Sequence, residues 1–313
     1  MNPEEVARDL AGRLRSAVHP LMGSPEARRR AGTAHGGDPT YGIDEAAEDL
    51  VHRTFQRLDD VAYFTEDAGL VARGSPDVLY LIDPIDGTRP AAAGFETCCV
   101  SIAVAPFGAE ATLGDVTYGC VVELATGAMF EARKGRGARA EGRRLEPSAD
   151  GDLGRLFWAG GFRGQPAVPM ATVLEGLFDV PGSEGAFFEQ GSAAYSLTRV
   201  ATGQLDAYVD PGPAMIQAVP EVEAAFLRVG GGHVLNTVTY DAAAGYLVLW
   251  ELGLPCTDAL GRSLEEVPLI DGEGRASQVS TVAASTPALH AEVLAVVREG
   301  LDRLRASGRA SGS

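Results

Sequence analysis

Positive charge is scarce in this sequence. Its 313 residues carry 26 Lys and Arg against 43 Asp and Glu, for a formal net charge of −17, and Lys134 is the only lysine. That balance argues against nucleic acid or an anionic membrane surface as the main partner, since either would be repelled. The lone lysine reads as compositional bias rather than function. Cysteine is sparse too: Cys98, Cys99, Cys120 and Cys256 make no CxxC pair and no His-paired ligand spacing, so buried free thiols are the expected state. Nor is there a long apolar run at the start. Between Met1 and Met22, Glu and Arg recur at intervals, so neither a signal peptide nor a transmembrane span is expected, and the cytoplasm is the expected compartment. No internal repeat is visible.

What the sequence does have is an ordinary globular composition, 45% hydrophobic and 22% charged, enough for a sizeable core. Val6, Leu10, Leu14, Val18 and Leu21 recur at helical spacing across residues 3–22. A second helix is expected from Asp44, with Ala47, Leu50, Val51, Phe55 and Leu58 on one face, after a Gly- and Pro-containing loop over 32–42. Residues 78–82 (Val-Leu-Tyr-Leu-Ile) read as a buried strand, and 98–105, 114–123 and 128–133 as further strands. The segment 133–144 reads as a polar, Gly-rich connection.

Ser192 is placed to cap a helix that stops at Gly203, and another helix is expected from Asp241 to just before Gly253. Residues 211–239 read as irregular, and the Gly-, Ser- and Arg-rich residues 304–313 as a disordered tail. Strands clustered after a helical start predict layered α and β rather than strict βαβ succession. The expected division is an α+β unit over 1–150 and an α/β unit over 151–303.

The sharpest chemical feature is Asp83-Pro84-Ile85-Asp86-Gly87-Thr88 at the end of the buried strand. A carboxylate there is costly unless paired. Two carboxylates about 4–5 Å apart repel by roughly 3–4 kcal/mol at an effective dielectric near 20. A hard divalent cation such as Mg²⁺ offsets this with oxygen ligands alone. Gly87 and Thr88 let the backbone approach an anion, and Pro90 suits the first turn of a helix. An isolated Asp-x-x-Asp-Gly is usually a surface turn, but the buried strand before it argues otherwise.

The string resembles the first signature of the inositol-monophosphatase superfamily, and further motifs follow in the family's order. Asp38-Pro39-Thr40-Tyr41-Gly42-Ile43-Asp44 matches the spacing of the family's first Asp motif. Glu66-Asp67 stand at its acidic pair, and Tyr240-Asp241, followed by Ala242-Ala243-Ala244-Gly245, at its Trp-Asp motif. Ala132 to Ala138 resembles its Lys-Gly-x-Gly turn, and Gly191 to Gly203 with Asp206-Ala207-Tyr208 its substrate-side helix. The chain departs from the pattern at Asp67 (for Glu), Tyr240 (for Trp), Arg89-Pro90 (for Thr-Asn) and in the long segment 211–239.

The resemblance implies an α+β, αβαβα layered sandwich and Mg²⁺-dependent hydrolysis of a small polyol, inositol or sugar phosphate. Glu66, Asp83 and the Ile85 carbonyl would hold one ion; Asp83, Asp86 and Asp241 a second; and a third would sit near Glu66. Glu66, Thr88 and Asp44 are the expected catalytic residues, with Thr88 hydrogen-bonded to Asp44. Asp86, Gly87, Thr88, Arg89, Ala193, Asp210 and Asp241 are expected to meet the substrate. The family pattern further implies lithium sensitivity and a homodimer. Fructose-1,6-bisphosphate, a 3′-phosphonucleotide and histidinol phosphate are rival substrates, and a catalytically silent binding or regulatory relative is the rival class.

Overall fold

The computed structural model describes residues 2–34, 37–271 and 276–310. It starts with an amphipathic helix, α1 (Pro3–Val18), which buries Val6, Leu10, Leu14 and Val18, and whose first turn is capped by the Asn2 side chain. A short antiparallel ribbon of β1 (Arg30–Thr33) and β2 (Pro39–Tyr41) leads into α2 (Gly42–Phe55). This ribbon replaces the loop expected over 32–42. Its strands are short and lack the apolar alternation that marks a strand in sequence.

Helices α1 and α2 cover one face of a large sheet. Its strands are β3 (Val61–Thr65), β4 (Gly69–Arg73), β5 (Val78–Asp86), β6 (Cys99–Pro106), β7 (Tyr118–Glu123), β8 (Met129–Arg133), β9 (Gly137–Ala140) and β10 (Arg143–Arg144). The order across the sheet is β10-β9-β8-β7-β6-β5-β3-β4, antiparallel except for the β3/β5 pair. Residues 133–144, expected as a connection, supply β9 and β10. Ala132 and Ala138 pair across β8 and β9 and are buried. A single-turn helix, α3 (Thr88–Ala93), follows β5.

The second half lays down another sheet, ordered β12-β11-β13-β15-β14: β11 (Phe157–Gly160), β12 (Ala186–Phe188), β13 (Ala207–Asp210), β14 (Cys256–Thr257) and β15 (Thr281–Ala284). Two helices fill the space between the sheets, α5 (Ala193–Ala201) and α8 (Thr239–Glu251). Helix α8 is apolar nearly all round, as a helix between two sheets must be. The outer face of the second sheet carries α4 (Ala167–Asp179) and α9 (Pro287–Ala310), with α6 (Gly212–Ala218) and α7 (Glu223–Val229) beside them.

The result is an α+β sandwich with layers in the order αβαβα. One apolar cluster joins α1 and α2 to the first sheet, a second spans the middle helices and both sheets, and a third lies under α4 and α9. All four cysteines are buried free thiols. No helix among the described residues is long and apolar enough to cross a membrane.

Two expectations need correcting. Residues 304–310 are helical, because α9 continues past the stripe Leu289, Val293, Val297, Leu301 and Leu304 that buries it; residues 311–313 lie outside the described set. The segment 211–239 is not irregular throughout. It folds into α6, a 3₁₀ turn at Pro220–Val222 and α7, anchored by the buried Met215 and Phe226.

Candidate active site

Strand β5 carries its acidic end into the middle of the molecule. Asp83 still pairs with Ser101 of β6, but the ladder then slips, so that Asp86 comes to face Cys99. Pro84 has no N–H to give that ladder, which fits an irregularity at this step. The Asp83 Oδ1 accepts the Ile85 N–H at 2.9 Å, bending the chain back on itself. Gly87 then takes φ 90°, in the left-handed region, where a Cβ would come within 2.9 Å of the Thr97 carbonyl oxygen.

Three other elements bring carboxylates to this turn. Parallel pairing sets Thr65 of β3 beside Ile82 of β5, which puts Glu66, the next residue, alongside Asp83. Asp241 lies in the first turn of α8, and its Oδ2 accepts the Val238 N–H at 2.9 Å. Asp241 therefore caps the helix through one oxygen and lines the cavity as well. Asp44 accepts the Tyr41 N–H (2.8 Å) through Oδ2 and the Thr88 hydroxyl (3.1 Å) through Oδ1.

Glu66, Asp83, Ile85, Asp86, Gly87, Thr88, Arg89 and Asp241, all singled out from the sequence, line one cavity of about 310 Å³. A smaller cavity, about 50 Å³, adjoins it and is lined by Asp86, Ala193, Asp210 and Asp241. Burial, reinforced by the neighbouring carboxylates, pushes Glu66 and Asp83 well above the usual carboxylate range. Asp241 is pushed up to about 8 by burial and by Asp86. Asp86 rises only to about 6, because Ser192 and Ala194 counter its burial. Its Oδ2 accepts the Ser192 hydroxyl and the Ala194 N–H, each at 2.6 Å.

These are hard oxygen donors whose shared negative charge is poorly compensated, which is the chemistry of a divalent-cation site. Among the described residues, no three His, Cys, Asp or Glu are drawn together closely enough to cage an ion unaided. The side chains ring a pocket, and that suits an ion completing its shell with water and substrate oxygens.

Asp210 was expected to accept a substrate hydroxyl. It borders the smaller cavity, where its Oδ1 accepts the Gln165 amide (2.9 Å) and the Gly212 N–H (3.2 Å) and its Oδ2 the Thr237 hydroxyl (2.8 Å). Arg89 lines the main cavity while paired with Asp38 at 3.0 Å and lying 5.8 Å over the Tyr41 ring.

Sequence reasoning missed Arg163, Ser192 as a partner of Asp86, and the cavity wall that Leu227, His233, Val234, Leu235 and Asn236 supply from the segment after α6. Arg163 sits in a Gly-rich loop after β11, where nothing in its spacing distinguishes it from a surface arginine. It also missed Glu48, which accepts the Thr65 hydroxyl at 3.0 Å and is pushed up to about 7 by burial and Asp67.

An αβαβα sandwich with carboxylates gathered at the end of a central strand defines the class of inositol-monophosphatase-like folds. The chain belongs to the inositol monophosphatase family, whose model matches residues 4–301. A fructose-1,6-bisphosphatase/inositol-1-monophosphatase of Methanothermobacter thermautotrophicus is 28% identical over 300 residues, covering 92% of this chain and 94% of that protein. A Nus factor SuhB of Xylella fastidiosa is 26% identical over 262 residues, covering 83% and 82%. An inositol monophosphatase structure from Thermotoga maritima superposes with a TM-score of 0.70 at 20% identity, over 97% of this chain and all of that one, a likeness of fold.

Proposed function

We propose that the chain is a Mg²⁺-dependent phosphomonoesterase that hydrolyses a small polyol, inositol or sugar phosphate with water as the nucleophile. One observation carries this reading: Glu66, Asp83, Asp86 and Asp241 reach one cavity from three separate parts of the fold, with protonation favoured at each by burial and at most of them by one another. Such a set stays ionised at neutral pH when cations bind it.

Glu66, Asp83 and the Ile85 carbonyl would hold one ion, Asp83, Asp86 and Asp241 a second, and a third would sit near Glu66. Magnesium bound there supplies a Lewis acid that lowers the pKa of water and offsets charge on the leaving oxygen. The protein's own groups do the rest. Thr88 Oγ1, 3.1 Å from Asp44 Oδ1, orients the water and passes a proton toward that carboxylate. The N–H groups of Gly87 and Thr88 face the ester phosphate; the left-handed turn at Gly87 lets it approach closely. Asp86, Ala193 and Asp241 border the smaller cavity and receive the alcohol portion.

The segment after α6 closes the cavity with Leu227, Val234 and Leu235, so it shapes which alcohol fits. Lithium inhibition and a homodimer follow from the same family reading. Phosphate release from a panel of monoesters, measured with and without Mg²⁺, tests the proposal.

A further inference from the structure

Glu66 differs from the other carboxylates of the site in having no donor. Asp83 accepts the Ile85 N–H, Asp241 the Val238 N–H, and Asp86 the Ser192 hydroxyl and the Ala194 N–H. Among the described residues, nothing donates a hydrogen bond to Glu66. A carboxylate drawn out of water without donors stays ionised only beside a positive charge.

The fold brings one cation to that end of the cavity. The Thr40 hydroxyl donates to Asp67 Oδ1 over 2.9 Å, which ties β2 to the residue after Glu66. Asp38, two positions before Thr40, is thereby held near Glu66, and Arg163 Nη1 donates to its Oδ2. Among the described residues, no other nitrogen of Arg163 has a hydrogen-bond partner. The rest of its guanidinium faces the cavity that Glu66, Asp83, Asp86 and Asp241 line, and it also borders the smaller cavity beside Asp86 and Asp241. Arg89 pairs with Asp38 as well, at 3.0 Å, so the charge of Arg163 is shared with the carboxylates across the cavity.

That sharing shows in their proton affinities. Burial, Asp241, Asp38 and Asp44 all favour protonated Glu66, whereas Arg163 favours its carboxylate. The same guanidinium favours ionised Asp86 and Asp241. It acts across space, without a direct ion pair, and its charge is permanent because a guanidinium does not lose its proton in a protein.

We propose, building on the phosphomonoesterase reading, that Arg163 is the resident counter-cation of the metal carboxylates. It carries at the Glu66 end the charge that a third Mg²⁺ would otherwise supply, so the chain holds two ions tightly and admits a third only weakly. A guanidinium does not activate water as a metal ion does. Arg163 is therefore a positioning residue, which keeps Glu66 ionised and open to the first ion.

Calorimetric titration of the full chain with Mg²⁺ alone, near neutral pH, reads this without turnover. The unaltered chain is expected to bind two ions tightly. Arg163→Met, which keeps an apolar stem and removes the charge, is expected to bind a third at least tenfold more tightly than the unaltered chain does. Arg163→Lys retains the charge and should titrate like the unaltered chain. Thermal unfolding is the second readout. With a chelator present, Arg163→Met should have a lower Tm than the unaltered chain, and saturating Mg²⁺ should close the gap, because the added ion restores the missing charge. Lost packing alone would leave the gap in place.

Three equally tight ions in the unaltered chain, unchanged Mg²⁺ uptake in Arg163→Met, the same change in Arg163→Lys, or a Tm deficit that Mg²⁺ leaves in place each overturns the role of Arg163. The phosphatase reading stands in those cases as long as the unaltered chain releases phosphate with Mg²⁺. If that chain binds no Mg²⁺ and hydrolyses no ester, 4-nitrophenyl phosphate included, the phosphatase reading falls and the role of Arg163 falls with it.

Discussion

Thr88 Oγ1 stands 3.1 Å from Asp44 Oδ1 and also 3.1 Å from the Ile85 carbonyl oxygen, so one hydroxyl proton has two acceptors. When that proton points to Asp44, a hydroxyl lone pair is left to receive a proton from water. Burial pushes Asp44 up to about 7, which suits a group that takes up a proton near neutral pH. Thr88→Ala is expected to lower kcat by about 10²–10⁴-fold, the usual contribution of positioned proton transfer. Thr88→Ser keeps the hydroxyl and should retain most of the rate. Steady-state kinetics on the same ester compares the two.

The cation-free protein should lose stability as pH rises. Asp86 (about 6), Asp44 and Glu48 (about 7 each) and Asp241 (about 8) are all raised from values of 3.8 to 4.5. A carboxyl raised in the folded state binds its proton more tightly there than in the unfolded chain. Its contribution is complete below about pH 4 and lost as pH climbs through the folded value. With a chelator present, Tm should therefore fall between pH 5 and pH 8.5. Adding Mg²⁺ should flatten that slope, and thermal unfolding across the pH series measures both.

Ser192 links helix packing to the acidic site. Its hydroxyl accepts the Tyr195 N–H at 3.2 Å as the cap of α5 and donates to Asp86 at 2.6 Å. Ser192→Ala should cost about 0.5–2 kcal/mol of stability through the lost cap. It also removes a hydrogen bond that favours the ionised Asp86, so half-saturating Mg²⁺ should rise several-fold. Denaturant unfolding and a Mg²⁺ titration of activity read the two effects separately.

Gly87→Ala forces a Cβ to within 2.9 Å of the Thr97 carbonyl at a left-handed φ of 90°. A destabilisation above about 1 kcal/mol is expected. KM should rise as well, because the turn that faces the ester phosphate must shift. Unfolding and kinetics on the same preparation check this.

Much of the site was legible because its residues sit at element boundaries that sequence marks well. Asp83 and Asp86 end an apolar run, Asp241 opens a helix, and Ser192 caps one; these local signals survive folding. Arg163 and Glu48 were not legible, since their roles come from partners distant in sequence. Arg163 meets Asp38 across 125 positions. The partners of Asp210, Gln165 and Thr237, likewise come from distant parts of the chain that its sequence neighbourhood does not reveal. The same limit explains β9, β10 and the helices after Asp210. Short elements carry too little periodicity to stand out until tertiary contacts fix them.

The central claim is that the Asp83–Thr88 turn works with Glu66 and Asp241 to cleave phosphate esters. The most direct measurement is phosphate release by the purified chain from a broad panel of small phosphomonoesters, titrated with Mg²⁺, with Asp83→Asn alongside. The account predicts release that requires Mg²⁺ and that falls by orders of magnitude in Asp83→Asn while the variant remains folded. No release from any ester at saturating Mg²⁺, or equal release by Asp83→Asn and the unaltered chain, would contradict it.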